Sequence, residues 1–362
     1  MHLMDVLALR PVPAAAAFLA LTRRCPLSCA HCSTNSMLSS EEHDGDMFRR
    51  FVDSFMPESH PEVILMSGGE ALLRPRLVQE LAESARSAGA SSQVLSGMFF
   101  ARGARARIPK PILRAIESVD HFSASLDAYH EREVSRGEVF RALDEVIALG
   151  RDVSLHIVGL GDDDPYVAGL VADIRRRFDD RVPVLVGRVG PMGRARDWLD
   201  VPAGAAPRAA AADPCTLANW PLVAFDGTIV ACCHQEVVDK RPVPEHLLLG
   251  HARTDDWATV RERYLRSTLL RGIRTYGPEY VADRFGDSVA CSGYCETCVT
   301  LSTDPTLEPR LAELLARPSA ELVERHVAML QRAGGPLAFA RRAGLARYAE
   351  MIALGYEEAC VA

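Results

Sequence analysis

The feature that most constrains this chain is a repeated switch in the period of its apolar residues. Short apolar runs that read as buried strands lie at residues 18–22, 63–66, 93–96, 121–126, 153–158 and 182–186. Between them, residues 47–56, 76–88, 111–116, 139–149 and 166–178 place apolar side chains at spacings of three and four, as a helix facing a core must. Gly89 stands where the second of these helices should stop. Six strands alternating with helices predict an α/β fold, a parallel sheet with helices outside it. Periodicity alone does not separate a doubly wound sheet from a barrel. In either form the functional loops gather at the C-terminal ends of the strands.

Composition narrows the setting. The 362 residues are 48% apolar, enough for a substantial core, and the net charge of −7 argues against a nucleic-acid-binding surface. Arg10 ahead of Ala14-Ala-Ala-Ala-Phe-Leu-Ala20 resembles an export signal, but Pro11 and Pro13 interrupt it and no cluster of positive charge opens the chain. No run approaches a membrane span, so a cytoplasmic protein with no membrane partner is expected. The ten cysteines are grouped: Cys25, Cys29 and Cys32; Cys215, Cys232 and Cys233; Cys291, Cys295 and Cys298; with Cys360 alone. In a chain this large without an export signal, grouped thiols favour metal or iron–sulfur ligation over disulfides.

The first group, Cys25-Pro-Leu-Ser-Cys29-Ala-His-Cys32, follows the first strand. Three thiolates can converge from one loop on a cubane cluster that keeps one iron open. A structural zinc site is the alternative, but zinc wants a fourth ligand, and His31 beside Cys32 would aim elsewhere. Ser67-Gly68-Gly69-Glu70 ends the second strand, where glycines let a ligand approach the backbone. The cysteine loop and the Gly-Gly-Glu turn together resemble the radical S-adenosylmethionine (SAM) enzymes. That resemblance implies a partial (β/α)6 TIM-like barrel. It also implies a [4Fe-4S] cluster on Cys25, Cys29 and Cys32, and SAM contacts from Gly68, Gly69, Glu70 and the Ser125-Leu126-Asp127 segment, with Arg136 and Ser96 as further candidates. His156 reads as a core histidine, and Arg194 in Gly193-Arg194-Ala195 is given no catalytic role.

The later thiols extend the resemblance. Cys215, eleven residues, Gly227, four residues and Cys232 match the start of the SPASM/Twitch extension, and Asp226-Gly227 is a good hairpin turn. Cys295-Glu-Thr-Cys298 would complete a four-thiolate site, with Cys291 or Cys233 able to replace one ligand. A full SPASM domain carries more cysteines, so the resemblance implies one auxiliary [4Fe-4S] cluster on Cys215, Cys232, Cys295 and Cys298. Four thiolates also suit zinc. The expected organisation is a core at 1–200, a β-hairpin and helix auxiliary-cluster domain at 201–305 opened by a Pro-, Ala- and Gly-rich linker, and a helical tail at 306–362. Residues 1–17 are expected to be a short lead-in rather than a peptide-recognition domain.

What the resemblance implies is a radical SAM oxidoreductase: reductive SAM cleavage to a 5′-deoxyadenosyl radical and removal of a substrate hydrogen atom. One auxiliary cluster points to oxidative tailoring, by dehydrogenation, of a small polar metabolite such as a sugar, aminocyclitol or nucleoside in natural-product biosynthesis. An external one-electron reductant such as flavodoxin or ferredoxin is the expected partner. The runner-up is a maturase forming a cross-link or epimer in a precursor peptide, for which Cys291 or Cys233 could donate hydrogen. An electron carrier or SAM-binding scaffold without turnover is the reading from outside enzymology. No catalytic side chain is assigned.

Overall fold

The structure is a computed structural model that describes residues 1–103, 105, 107–200, 211–287 and 293–356. The expected linker at 201–210, together with Cys291 and Cys360, lies outside the described residues.

All six expected strands form: β1 (Ala16–Ala20), β2 (Val63–Ser67), β3 (Ser91–Ser96), β4 (His121–Ser125), β5 (Asp152–Gly159) and β6 (Val184–Arg188). Each pairs in parallel with the next in sequence, from β1 to β6. That order decides what periodicity left open. A doubly wound sheet reverses its strand order partway, whereas a sheet that always advances to the same side curls into a barrel. This one stays open, a partial barrel whose β6 edge is met by the tail, with the Leu345 amide donating to the Val186 carbonyl at 3.0 Å. β2 is apolar at four of five positions and buried there, because parallel strands are covered on both faces.

The helices follow from their stripes. Pro75–Ala88 buries Leu77, Val78, Leu81, Ala82, Ala85 and Ala88 and ends at Gly89, whose φ of 102° is the left-handed conformation that closes a helix. Ser135 and Glu138 form a reciprocal capping box at the start of Arg136–Ala148. Asp164 caps Pro165–Phe178, with Pro165 at the first helical position.

Two features depart from the sequence expectation. The lead-in contains a helix, Leu3–Ala8, that packs Leu3 and Leu7 against Ala340, Ala349 and Ile352 of the tail. The hairpin of β7 (Leu222–Val223) and β8 (Thr228–Val230) joins the barrel sheet, β7 running parallel to β1, and a further strand β9 (Leu248–His251) pairs with β8. The tail helix Pro318–Ala343 is interrupted at Gly335, whose φ of 63° and ψ of −169° are non-helical, just ahead of Pro336.

The barrel also holds neutral histidines. His121 is fully buried and hydrogen-bonded to Ser154 Oγ at 2.8 Å and the Met1 carbonyl at 2.9 Å; burial pushes it, His156 and His246 down to about 4. A histidine held below its unfolded value of about 6.5 adds stability that is present above pH 6.5 and lost as pH falls towards about 4. One such group is worth on the order of 3 kcal/mol at the acid end of that window. Urea midpoints are therefore expected to fall steeply between pH 6.5 and 4, and less steeply in His121→Gln, which keeps a polar partner for Ser154 but does not titrate.

Candidate functional site

The loop that follows β1 lies directly on the turn that follows β2. The Gly69 amide donates to the Thr22 carbonyl at 2.7 Å, and the Glu70 amide to the Arg24 carbonyl at 2.9 Å. No side chain fits between them: a Cβ on Gly68 would stand 2.4 Å from the Thr22 oxygen, one on Gly69 2.4 Å from the Arg24 oxygen, and Gly68 has a φ of 137°. The glycines thus bring the second turn's backbone against the start of the cysteine loop. Gly68→Ala meets both the clash and the strained φ, a cost of about 1–3 kcal/mol. It is expected to lower iron uptake by the first cysteine group at least as strongly as it lowers the melting temperature, measured by iron content and thermal unfolding.

The other side of the cysteine loop is clamped from beyond β6. Arg194 donates from Nε to the Cys29 carbonyl at 2.9 Å and from Nη1 to the Ser36 carbonyl at 2.8 Å, while its own amide donates to the Cys32 carbonyl at 3.0 Å. Trp198 Nε1 holds the Ala30 carbonyl at 2.9 Å. Arg194 is thus a positioning residue. Its sequence signal was the Gly193-Arg194-Ala195 turn after the last strand.

Cys25, Cys29 and Cys32 open onto a cavity of about 440 Å³, with Gly68, Gly69, Ser125 and His130 in the same wall. Burial pushes the Cys25 thiol up to about 12, so its thiolate needs a cationic centre beside it. Among the described residues no three thiol sulfurs lie within 4.8 Å of one another. A tetrahedral zinc at about 2.3 Å from each sulfur would hold them about 3.8 Å apart. Three thiols spread around one cavity fit a multi-iron cluster better than one ion.

Behind that wall sit the expected carboxylates. Glu70 is 1% exposed and accepts from the Leu72 amide at 2.9 Å, the Gly97 amide at 2.9 Å and Ser96 Oγ at 3.1 Å. Burial lifts it to about 7 while those donors pull the other way. Glu70 and Ser96 therefore brace the turn into Gly97, itself on the cavity wall, from beneath. Asp127 is equally buried: its Oδ1 accepts from the amides of Tyr129 and His130, and its Oδ2 from His130 Nδ1 at 2.9 Å and His31 Nε2 at 3.3 Å. Burial raises its carboxyl, but the two histidines outweigh that and hold it well below the usual carboxylate range. His130 is lifted to about 10, against the pull of burial, by Asp127 and the adjacent Cys29 thiol. His31 stacks on Tyr129 with ring centroids 4.6 Å apart, and Trp198 flanks Tyr129 at 5.4 Å. The ligand atoms of His31, Asp127 and His130 lie within 4.8 Å of one another, and the hydrogen bonds to Asp127 account for that convergence without an ion. Neither His31 nor His130 was singled out from the sequence as part of the site; His31 in the cysteine loop was the available signal.

Arg136 is not brought to the cavity. Its guanidinium is bonded to Glu131 at 2.8 Å and to Asp173, over the ring of Tyr166, tying the start of its helix to Pro165–Phe178. Two carboxylates there saturate the fork that the sequence reading offered to SAM.

The second thiol group also assembles. Cys215 is held by its amide on the Ile273 carbonyl at 3.1 Å, Cys232 follows β8, and Cys295 and Cys298 share one face of the helix Tyr294–Thr300. Burial raises all four thiols, Cys295 to about 12, and the charge of neighbouring thiols raises Cys232, Cys295 and Cys298 further. Cys215 thus lies close enough to Cys232, Cys295 and Cys298 for its charge to act on all three. Cys233 lines the large cavity and is also near enough to Cys232 and Cys295 for its charge to raise both.

Residues 19–174 match the family model of the Radical SAM superfamily. Among solved structures, Streptococcus suis SuiB bound to precursor peptide SuiA aligns with a TM-score of 0.51 at 10% identity, over 82% of this chain and 74% of that one. Native anSMEcpe with bound AdoMet and Cp18Cys peptide aligns at 0.49 and 12% identity, over 83% and 99%. At such identities the likeness is one of fold. No curated protein sequence matches the chain.

Proposed function

We propose that this chain, whose residues 19–174 match the Radical SAM family model, is an enzyme that uses SAM to take a hydrogen atom from a small polar metabolite and leaves it oxidised. The observation that carries the reading is the single cavity of about 440 Å³ in which Cys25, Cys29 and Cys32 face Gly68, Gly69 and Ser125. Cys25, Cys29 and Cys32 would hold a [4Fe-4S] cluster, and with SAM bound it would supply one-electron cleavage of SAM and the 5′-deoxyadenosyl radical that removes hydrogen.

The chain's own residues do the positioning. The close approach of residues 22–24 to Gly68 and Gly69 leaves backbone, not side chains, facing the SAM side of the cavity. Arg194 and Trp198 hold the cysteine loop from the far side, and Asp127 holds the loop through His31 and sets His130 against it. The apolar wall of Phe18, Leu95, Val158 and Val189 keeps water from the reacting carbon. Cys215, Cys232, Cys295 and Cys298, within a unit at 201–305, would hold an auxiliary [4Fe-4S] cluster, which would supply an acceptor for the surplus electron of an oxidative outcome. A flavodoxin or ferredoxin would deliver the first electron.

Anaerobic reconstitution with iron and sulfide, followed by SAM and dithionite, tests the reading. Release of 5′-deoxyadenosine and methionine, absent from a control without protein, is the expected result by liquid chromatography and mass spectrometry. Clusters present but no 5′-deoxyadenosine would leave an electron carrier or scaffold as the better reading. Among the described residues no helix is long and apolar enough to cross a membrane.

A further inference from the structure

Below the large cavity lies a second one, of about 230 Å³, inside the barrel. Phe18, Ser67 and Leu95 line both, so one is stacked on the other along the barrel axis. The floor is made by the helix Leu3–Ala8 and by Phe339 of the tail helix. Its volume is several times the roughly 30 Å³ of a water in the liquid.

Three polar side chains in this cavity each keep a buried polar atom without a partner. Arg10 is 6% exposed, and no carboxylate among the described residues pairs with it. Its guanidinium lies 4.0 Å from the Trp220 ring centre, 5.3 Å from Phe339 and 5.5 Å from Phe18. Its Nη2 has one weak contact, 3.8 Å to Cys233 Sγ, and its Nη1 has none. Gln93, 3% exposed, donates from Nε2 to Ser123 Oγ at 2.6 Å, but its Oε1 accepts nothing. His156 Nε2 is likewise unpartnered.

A buried cation without an anion is costly, and aromatic faces offset the charge without supplying hydrogen-bond acceptors. The thiol of Cys233 does not reach Nη1. From this juxtaposition we infer that the cavity binds a small hydroxy or amino acid, its carboxylate on Arg10 and its hydroxyl or amino group on Gln93 Oε1 and His156. A single guanidinium matches one negative charge and the two oxygens of a carboxylate; a phosphate dianion would call for a second cation, and the lining provides none. The acid is either part of the substrate, reaching down from the cavity above, or a separate ligand. The first alternative rests on the proposed radical chemistry, and the binding site does not.

The test uses the reconstituted full chain without SAM or reductant, with L-lactate and L-serine as probes and lactamide as the neutral counterpart of lactate. Saturation-transfer NMR and calorimetry are expected to show saturable binding of at least one acid, with lactamide about tenfold weaker or worse. Arg10→Gln is expected to lose at least the same factor, and His156→Phe, which fills the cavity and leaves Arg10 in place, to lose binding too. Iron content and far-UV circular dichroism check that both variants fold. If a variant does not fold, the comparison of acid with amide on the wild type still decides. Equal binding of lactate and lactamide, no binding of either acid at about 50 mM, or unchanged binding by folded Arg10→Gln would overturn the proposal. With SAM and dithionite added, stimulation of 5′-deoxyadenosine release by the bound acid identifies it as substrate, and an unchanged rate identifies a separate ligand. Intact acid binding with no 5′-deoxyadenosine under any condition would count against the radical reading alone.

Discussion

Cys29→Ala is expected to abolish 5′-deoxyadenosine release while removing about half of the iron, from roughly eight atoms per chain to roughly four. The loop itself should survive the change. The Cys29 side chain is not what fixes it: the backbone carbonyl is held by Arg194 and its neighbours by Trp198 and the turn at Gly69. What is lost is one of three thiolates, and the described residues offer no substitute thiol in that loop. His130, which lies against Cys29, is already committed to Asp127 through Nδ1. Iron quantification and electron paramagnetic resonance of the reduced protein would follow the loss. If the variant kept all its iron, the three-thiol site would not be the cluster site. If it lost all its iron, the two thiol groups would not be independent centres.

The route by which this site could be read from sequence is uneven, and the unevenness has physical causes. That Cys25, Cys29, Cys32, Gly68 and Gly69 meet at one cavity was legible because it depends on local spacing and on where a strand ends. Glu70, Ser96 and Asp127 were found in the right neighbourhood by motif, yet the structure sets them behind the cavity wall, bonded to backbone amides and histidines. A motif reports which residues occur and not which way a buried side chain turns. Arg136 failed for the converse reason: Glu131, five residues before it, and Asp173, brought alongside by the packing of Pro165–Phe178, take up its guanidinium. The barrel order emerged only from strand adjacency, a long-range property that apolar period does not carry. The helix Leu3–Ala8 is six residues long, too short for a periodic stripe to stand out, and its packing partners lie more than three hundred residues away. Arg10, next to it, has no local signal at all, because its meaning depends on the aromatic rings folded around it and on the carboxylate that is not among its neighbours.

Cys298→Ala should do the reverse of Cys29→Ala in chemistry and exceed it in its effect on stability. It is expected to lose the other half of the iron and to keep 5′-deoxyadenosine release, while conversion of substrate to oxidised product collapses. The stability effect follows from how the second thiol group is wired into the barrel. Cys232 follows β8, and β7 lies against β1, with the Phe18 amide donating to the Pro221 carbonyl at 2.9 Å. Cys295 and Cys298 sit on a separate helix, held to the sheet side by His246 on the Cys298 carbonyl at 2.9 Å. A metal centre shared among Cys215, Cys232, Cys295 and Cys298 would tie that helix to the hairpin, and hence to the edge of β1 that delivers the first cysteine loop. Removing one thiolate leaves the remaining buried thiols protonated and the tie broken. A loss of a few kcal/mol lowers the melting temperature by about 5 °C or more in a chain of this size. Cys29→Ala leaves that tie in place and should melt closer to wild type. Uncoupled turnover, with 5′-deoxyadenosine formed but product absent, would assign the surplus electron to the second centre. Unchanged product yield in Cys298→Ala or Cys215→Ala would remove that role and leave these thiols a purely structural one.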